Sequence, residues 1–136
     1  MIKKLHDTFK PSHYDINLKI DSEKLTFSGT VTIKGFIPVD ALSIKLHAKD
    51  LTVTAAKINN MAATTRLGKF DILKLSAPQT IHSGKVIISI EFSGIITDDM
   101  TGMYPCYFEH EGVKKWLIAT QFESHHAREA FPCIDE

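Results

Sequence analysis

Apolar and polar residues alternate with a period of two through much of the chain. Tyr14, Ile16, Leu18 and Ile20 interleave with Asp15, Asn17, Lys19 and Asp21. Leu25, Phe27, Val31 and Ile33 interleave with Thr26, Ser28, Thr30, Thr32 and Lys34. Leu42, Ile44 and Leu46 do so with Ser43, Lys45 and His47, and Val86, Ile88, Ile90 and Phe92 with Ile87, Ser89 and Glu91. Successive side chains of a strand point to opposite faces, so this pattern predicts antiparallel sheets with one face buried and one wet. Turn formers separate the runs at Asp21–Glu23, Pro38–Asp40, Ile58–Asn60, Ser76–Pro78, Ser83–Gly84 and Thr97–Asp99. Their spacing of roughly 8–12 residues points to a sandwich or barrel of about eight strands.

No strand–helix–strand alternation, long helical period, repeat or low-complexity tract interrupts that pattern. The one helical expectation is short. Ser124 would cap a turn or two over His125–Ala130, and Pro132 would stop it. With 136 residues the chain fits a single domain. Residues 1–10 read as a lead-in and 11–136 as the β domain.

Composition removes several function classes. Sixteen basic residues balance sixteen acidic ones, for a formal net charge of zero. No basic stripe suits nucleic acid, and no polybasic run suits a membrane surface. Lys3 and Lys4 are not followed by the apolar run of a signal peptide, and no stretch approaches the roughly 20 apolar residues of a membrane span. The expectation is a cytoplasmic protein. Cys106 and Cys133 read as reduced thiols, with a bridge between them only in an oxidising compartment.

Catalytic chemistry is hard to find. A helical zinc-hydrolase site needs two histidines one turn apart with a glutamate between them. His110-Glu111 is the nearest candidate, but Lys114 occupies the second ligand position and Gly112 marks a hairpin turn. His125 and His126 are neighbours whose side chains should diverge. His6, His13, His47 and His82 show no ligand spacing. These residues predict neither a metal site nor a catalytic residue in this chain. A strand over residues 116–123 would put Gln121 and Glu123 on one face and Thr120 and Phe122 on the other. That leaves an amide and a carboxylate side by side in solvent, which by itself is equally compatible with a solvated charge.

The carboxy-terminal run resembles the end of the amino-terminal domain of the aminopeptidase N family. Thr120, Gln121, Glu123, Ala127, Arg128, Phe131, Pro132, Cys133, Asp135 and Glu136 match its Thr-Gln-x-Glu, Ala-Arg and Phe-Pro-Cys-x-Asp-Glu elements at the family's spacing. Pro11-x-x-Tyr14, Phe27-x-Gly29, Gly102-Met103-Tyr104, Tyr107 and Lys115-Trp116-Leu117 look like weaker family markers. The resemblance implies a saddle-like β-sandwich that packs on a thermolysin-like catalytic domain of the same polypeptide. In the family that domain carries zinc on His-Glu-x-x-His and contains Gly-x-Met-Glu-Asn, and neither motif occurs in these residues.

The resemblance also implies that Glu123 holds the α-ammonium of a peptide N-terminus and that Gln121 lines the pocket for the first side chain. The chain alone should be inactive and bind no zinc. Arg128 should pair with Asp135, Glu136 or backbone carbonyls, with Phe131, Pro132 and Cys133 packing at the domain junction. Three other readings compete. A non-catalytic scaffold has no need of Gln121 and Glu123. The branch resembling leukotriene A4 hydrolase tends to have glutamine where Glu123 stands. A free-standing ligand-binding sandwich would show a uniformly polar surface.

Overall fold

The computed structural model describes residues 3–136, so Met1 and Ile2, at the head of the lead-in, lie outside it. Ten strands run in order: β1 (Lys10–Asp21), β2 (Thr26–Ile37), β3 (Ala41–His47), β4 (Leu51–Ile58), β5 (Met61–Ala62), β6 (Thr64–Leu67), β7 (Ile72–Ile81), β8 (Gly84–Ile95), β9 (Gly102–His110) and β10 (Val113–Gln121). They form a five-stranded sheet ordered β1-β2-β8-β4-β5, a three-stranded sheet ordered β3-β7-β6, and the β9–β10 hairpin. All pairings are antiparallel. Chain and alternation thus produce the all-β antiparallel sandwich expected of them.

The two larger sheets close around one core. Phe27, Val31, Ile33 and Ile37 of β2 meet Ile88, Ile90 and Phe92 of β8 on the inner face of the first sheet. Ile44 and Leu46 of β3 and Leu73 and Leu75 of β7 supply the opposing layer. Phe27 and Phe92 pack edge to face at 6.5 Å. Met103 at the base of the hairpin and Ala130 near the C-terminus are buried in the same cluster. Each fully buried aliphatic or aromatic side chain of this kind contributes about 1.5–3 kcal/mol.

Turn chemistry fixes the registers. Asn59-Asn60 and Glu111-Gly112 both take positive φ at two successive positions, the backbone hand that matches the twist of a two-residue hairpin. Gly29 leaves no space for a side chain, since a Cβ there would sit 2.4 Å from the Asn17 carbonyl oxygen and 3.2 Å from the Phe92 ring.

Two local expectations are corrected. Ser76–Pro78 is not a turn, because it lies inside β7. The β3–β7 register jumps there, from Ser43↔Ser76 to Ala41↔Ile81. Pro78 has no N–H for the ladder, so the strand bulges past it and resumes. The helix over His125–Ala130 is one 3-10 turn, Ala127–Glu129, with His126 at its N-cap position and no side-chain cap. Ser124 Oγ instead meets His125 Nδ1 at 2.7 Å. The packing of Phe122 and Phe131 and the buried Pro132 leave no room for a longer helix.

Candidate functional site

Gln121 is the last residue of β10 and pairs with Gly102, the first of β9. Gly102 is buried with φ 64, and a Cβ there would come within 2.8 Å of Glu129 Oε2. Glycine is required both by the left-handed backbone and by the carboxylate packed against it. The base of the hairpin is thereby pinned to the turn that follows it.

The strand ends two residues earlier than the reading over 116–123 requires. Phe122 turns inward, half-buried, and packs edge-on against Phe131 at 6.0 Å. Phe131 in turn packs edge-on against Tyr14 at 6.2 Å. His126 N–H donates to the Phe122 carbonyl at 2.8 Å. Gln121 and Glu123 flank this anchored ring, and both are exposed. Thr120 is exposed as well, and β10 ends at Gln121, so strand alternation does not extend to Glu123. Among the described residues no ion pair involves Glu123.

The C-terminal residues that follow form a latch. Arg128 donates from Nε to Asp135 Oδ2 at 3.1 Å and from Nη2 to the Asp135 carbonyl. Its own backbone N–H donates to the same carboxylate at 3.1 Å. Nη1 lies 3.6 Å from Asp71 Oδ2. Cys133 and His47 exchange backbone hydrogen bonds of 2.7 and 3.0 Å, so the C-terminal segment runs along the free edge of β3. Glu136 accepts from the N–H groups of Leu5 and His6 at 2.8 and 3.2 Å. Burial raises the Glu136 carboxyl, but these two donors together with the nearby His47 and Lys4 outweigh it, so the group sits below the ordinary glutamate range.

His47 has a role that its spacing in the sequence did not signal. It is buried, and its Nδ1 accepts the Asp135 N–H at 3.1 Å. Burial, then the nearby Arg128 guanidinium, holds its pKa below the ordinary value of 6.5. Tyr14 hydroxyl accepts the Ile134 N–H at 3.0 Å, and burial pushes its pKa up to about 12. Burial likewise pushes the Cys133 thiol up to about 12, the environment of an inert packing thiol rather than a nucleophile. Cys106 and Cys133 are both free thiols.

Donor chemistry for a metal is lacking here. His110 Nε2 lies 3.8 Å from Glu111 Oε1, on an exposed turn. His125 and His126 rings stack at 4.8 Å, and His126 Nδ1 faces Glu129 Oε2 at 3.4 Å. Among the described residues no group of three or more His, Cys, Asp or Glu could hold an ion. These residues do not fit a zinc site. No described helix is long and apolar enough to cross a membrane.

The fold is a β-sandwich with exposed Gln121 and Glu123 at the end of β10 and a C-terminal segment held by Arg128, His47 and Tyr14. The peptidase M1 N-terminal domain family matches residues 10–136. The chain belongs to that family. It is 40% identical over 136 residues to the aminopeptidase N of Lactobacillus delbrueckii subsp. lactis, covering 99% of this chain and 16% of that protein. It is 42% identical over 134 residues to an aminopeptidase N of Lactococcus lactis subsp. lactis, covering 96% of this chain and 15% of that protein. The aminopeptidase M1 of Arabidopsis thaliana is 35% identical over 136 residues, 93% of this chain and 16% of that protein. The chain therefore spans about one-sixth of the length of these relatives.

Proposed function

We propose that this domain serves a zinc-dependent aminopeptidase that removes N-terminal residues from peptides, and that its direct contribution is recognition of the substrate amine by Glu123. The observation that carries this reading is the exposed Glu123 carboxylate, without an ion pair among the described residues, next to Phe122, whose ring packs on Phe131 and through it on Tyr14. An exopeptidase must find a charged chain end, and a fixed carboxylate binds an ammonium through short charge-assisted hydrogen bonds. Anchoring the amine also fixes where the first peptide bond lies, so the gain is one of orientation. Gln121 borders the first side chain.

The face of the hairpin that carries Gln121 also exposes Phe108 and Leu117 at 45% and 52%. Apolar area of this kind marks a surface that meets something else. We assign it to the catalytic domain of the same polypeptide, which holds the zinc and the proton-transfer groups. Glu123 belongs to the peptidase branch rather than to an epoxide-hydrolysing one.

The test is Glu123→Ala in the full-length enzyme, assayed on aminoacyl anilides. Loss of one charged hydrogen bond of about 1.5–3 kcal/mol lowers kcat/KM by about 10- to 150-fold. Kinetics indistinguishable from the unmodified enzyme would remove Glu123 from the site. The 136-residue chain alone should neither hydrolyse these substrates nor bind stoichiometric zinc, and one zinc per chain would overturn the division of labour.

A further inference from the structure

β1 is an edge of the five-stranded sheet and, among the described residues, pairs only with β2. Its outer edge is a row of backbone donors and acceptors without a strand opposite, the feature that natural sheets usually blunt. The strand is long, from Lys10 to Asp21, and only its start is irregular, at the Pro11/His13 bulge. Its inward-facing Ile16, Leu18 and Ile20 lie opposite Val31, Gly29 and Phe27 of β2. They nevertheless remain 36%, 38% and 44% exposed.

The sequence of this edge is complementary to itself. Two copies of β1 run antiparallel with Asn17 opposite Asn17 bring Asp15 opposite Lys19 and His13 opposite Asp21, each twice. The same register sets Ile16 against Leu18 and Tyr14 against Ile20. Partners then share a face: the apolar pairs extend the buried side and the charged pairs the wet side. A one-residue slip would set apolar side chains against charges. Two-residue slips fail on charge. One sets Asp15 against Asp21, the other sets Asp15 against Asn17 and loses both Asp15–Lys19 pairs, and the next slip on either side sets Lys19 on Lys19 or Asp15 on Asp15. Like charges directly opposite are destabilising. The formal net charge of zero removes long-range repulsion between copies.

We propose that β1 is a self-association edge through which a second copy of this chain docks. The two five-stranded sheets join across a two-fold axis at Asn17 into one continuous sheet. The interaction is isologous, so each favourable pair counts twice. It is independent of the peptidase reading, since neither Gln121 nor Glu123 lies on this edge.

The experiment is sedimentation velocity on the chain across a concentration series, with three kinds of variant. Lys19→Asp turns both Asp15–Lys19 pairs into like-charge pairs and weakens dimerisation by about tenfold or more. The swap Asp15→Lys with Lys19→Asp restores it to within about threefold. In a Cys106→Ser background, Asn17→Cys places two thiols at cross-strand distance and gives a disulfide dimer under mild oxidation. Lys19→Cys does not, because its two copies lie about 13 Å apart along the strands. A chain that is monomeric at every concentration overturns the proposal. So does a dimer that ignores the charge reversal and is not trapped through Asn17→Cys.

Discussion

Arg128→Met isolates the latch behind the candidate site. Methionine keeps most of the apolar stem and removes the guanidinium. The loss is two charged hydrogen bonds, both to Asp135, at positions where each side chain is only 12% exposed. Asp135 keeps one donor, the backbone N–H of residue 128 itself. It loses its counter-charge while remaining largely out of water. Breaking a buried pair by removing one partner costs about 3–5 kcal/mol. The retained N–H places this case at the low end, near 3 kcal/mol. The second anion, Asp71, is more distant and more exposed at 39%, so it adds little. For a domain of this size 3 kcal/mol corresponds to a Tm lower by about 10 °C. Urea denaturation should show a lower midpoint at unchanged slope. Combining Arg128→Met with Asp135→Leu should cost less than the sum of the single changes, because the second substitution removes the stranded charge. A single-variant loss below about 1 kcal/mol, or strict additivity, would refute the idea that the pair is coupled and buried.

Two further outcomes are expected. His47 is held below its ordinary pKa, so the unfolded chain binds a proton that the folded chain resists. Stability is then at its plateau above pH 6.5 and falls as pH drops below it, and His47→Gln should flatten that limb of a Tm-against-pH profile. Glu136, also held low, steepens the fall only at more acid pH, below its ordinary 4.5. Native chain treated with a thiol-alkylating reagent should react at Cys106 and be spared at Cys133, which is buried and raised to about 12, and both should react once the chain is unfolded.

The long alternating runs of β1, β2, β3 and β8 were legible because each has one face toward the core, and period-two patterning records just that. β7 was harder. Its Pro78 reads as a breaker, and only the bulged pairing with β3 reveals that the strand continues through it. The end of β10 was read two residues too far and the cap of the short helical turn was given to Ser124, because local propensity does not register the Phe122–Phe131–Tyr14 stack, which spans most of the chain. Gln121 and Glu123 were visible as a polar pair on the chain, but not that Phe122 between them is fixed by that aromatic stack. His47 was invisible for a similar reason. Its partner Asp135 is 88 residues away, and no short motif encodes that contact.

β8 occupies the centre of the large sheet although it follows seven other strands in the chain, and it alone joins β2 to β4. During synthesis, therefore, the β1–β2 hairpin and β4 cannot join into one sheet until Ile95 has left the ribosome. Closing that sheet costs the entropy of a long loop before most of its contacts form, so the domain should fold slowly for its size. Until then the nascent chain presents Val31, Ile33 and Ile58 to its surroundings, and a holdase that covers these segments during elongation would raise the yield of native protein.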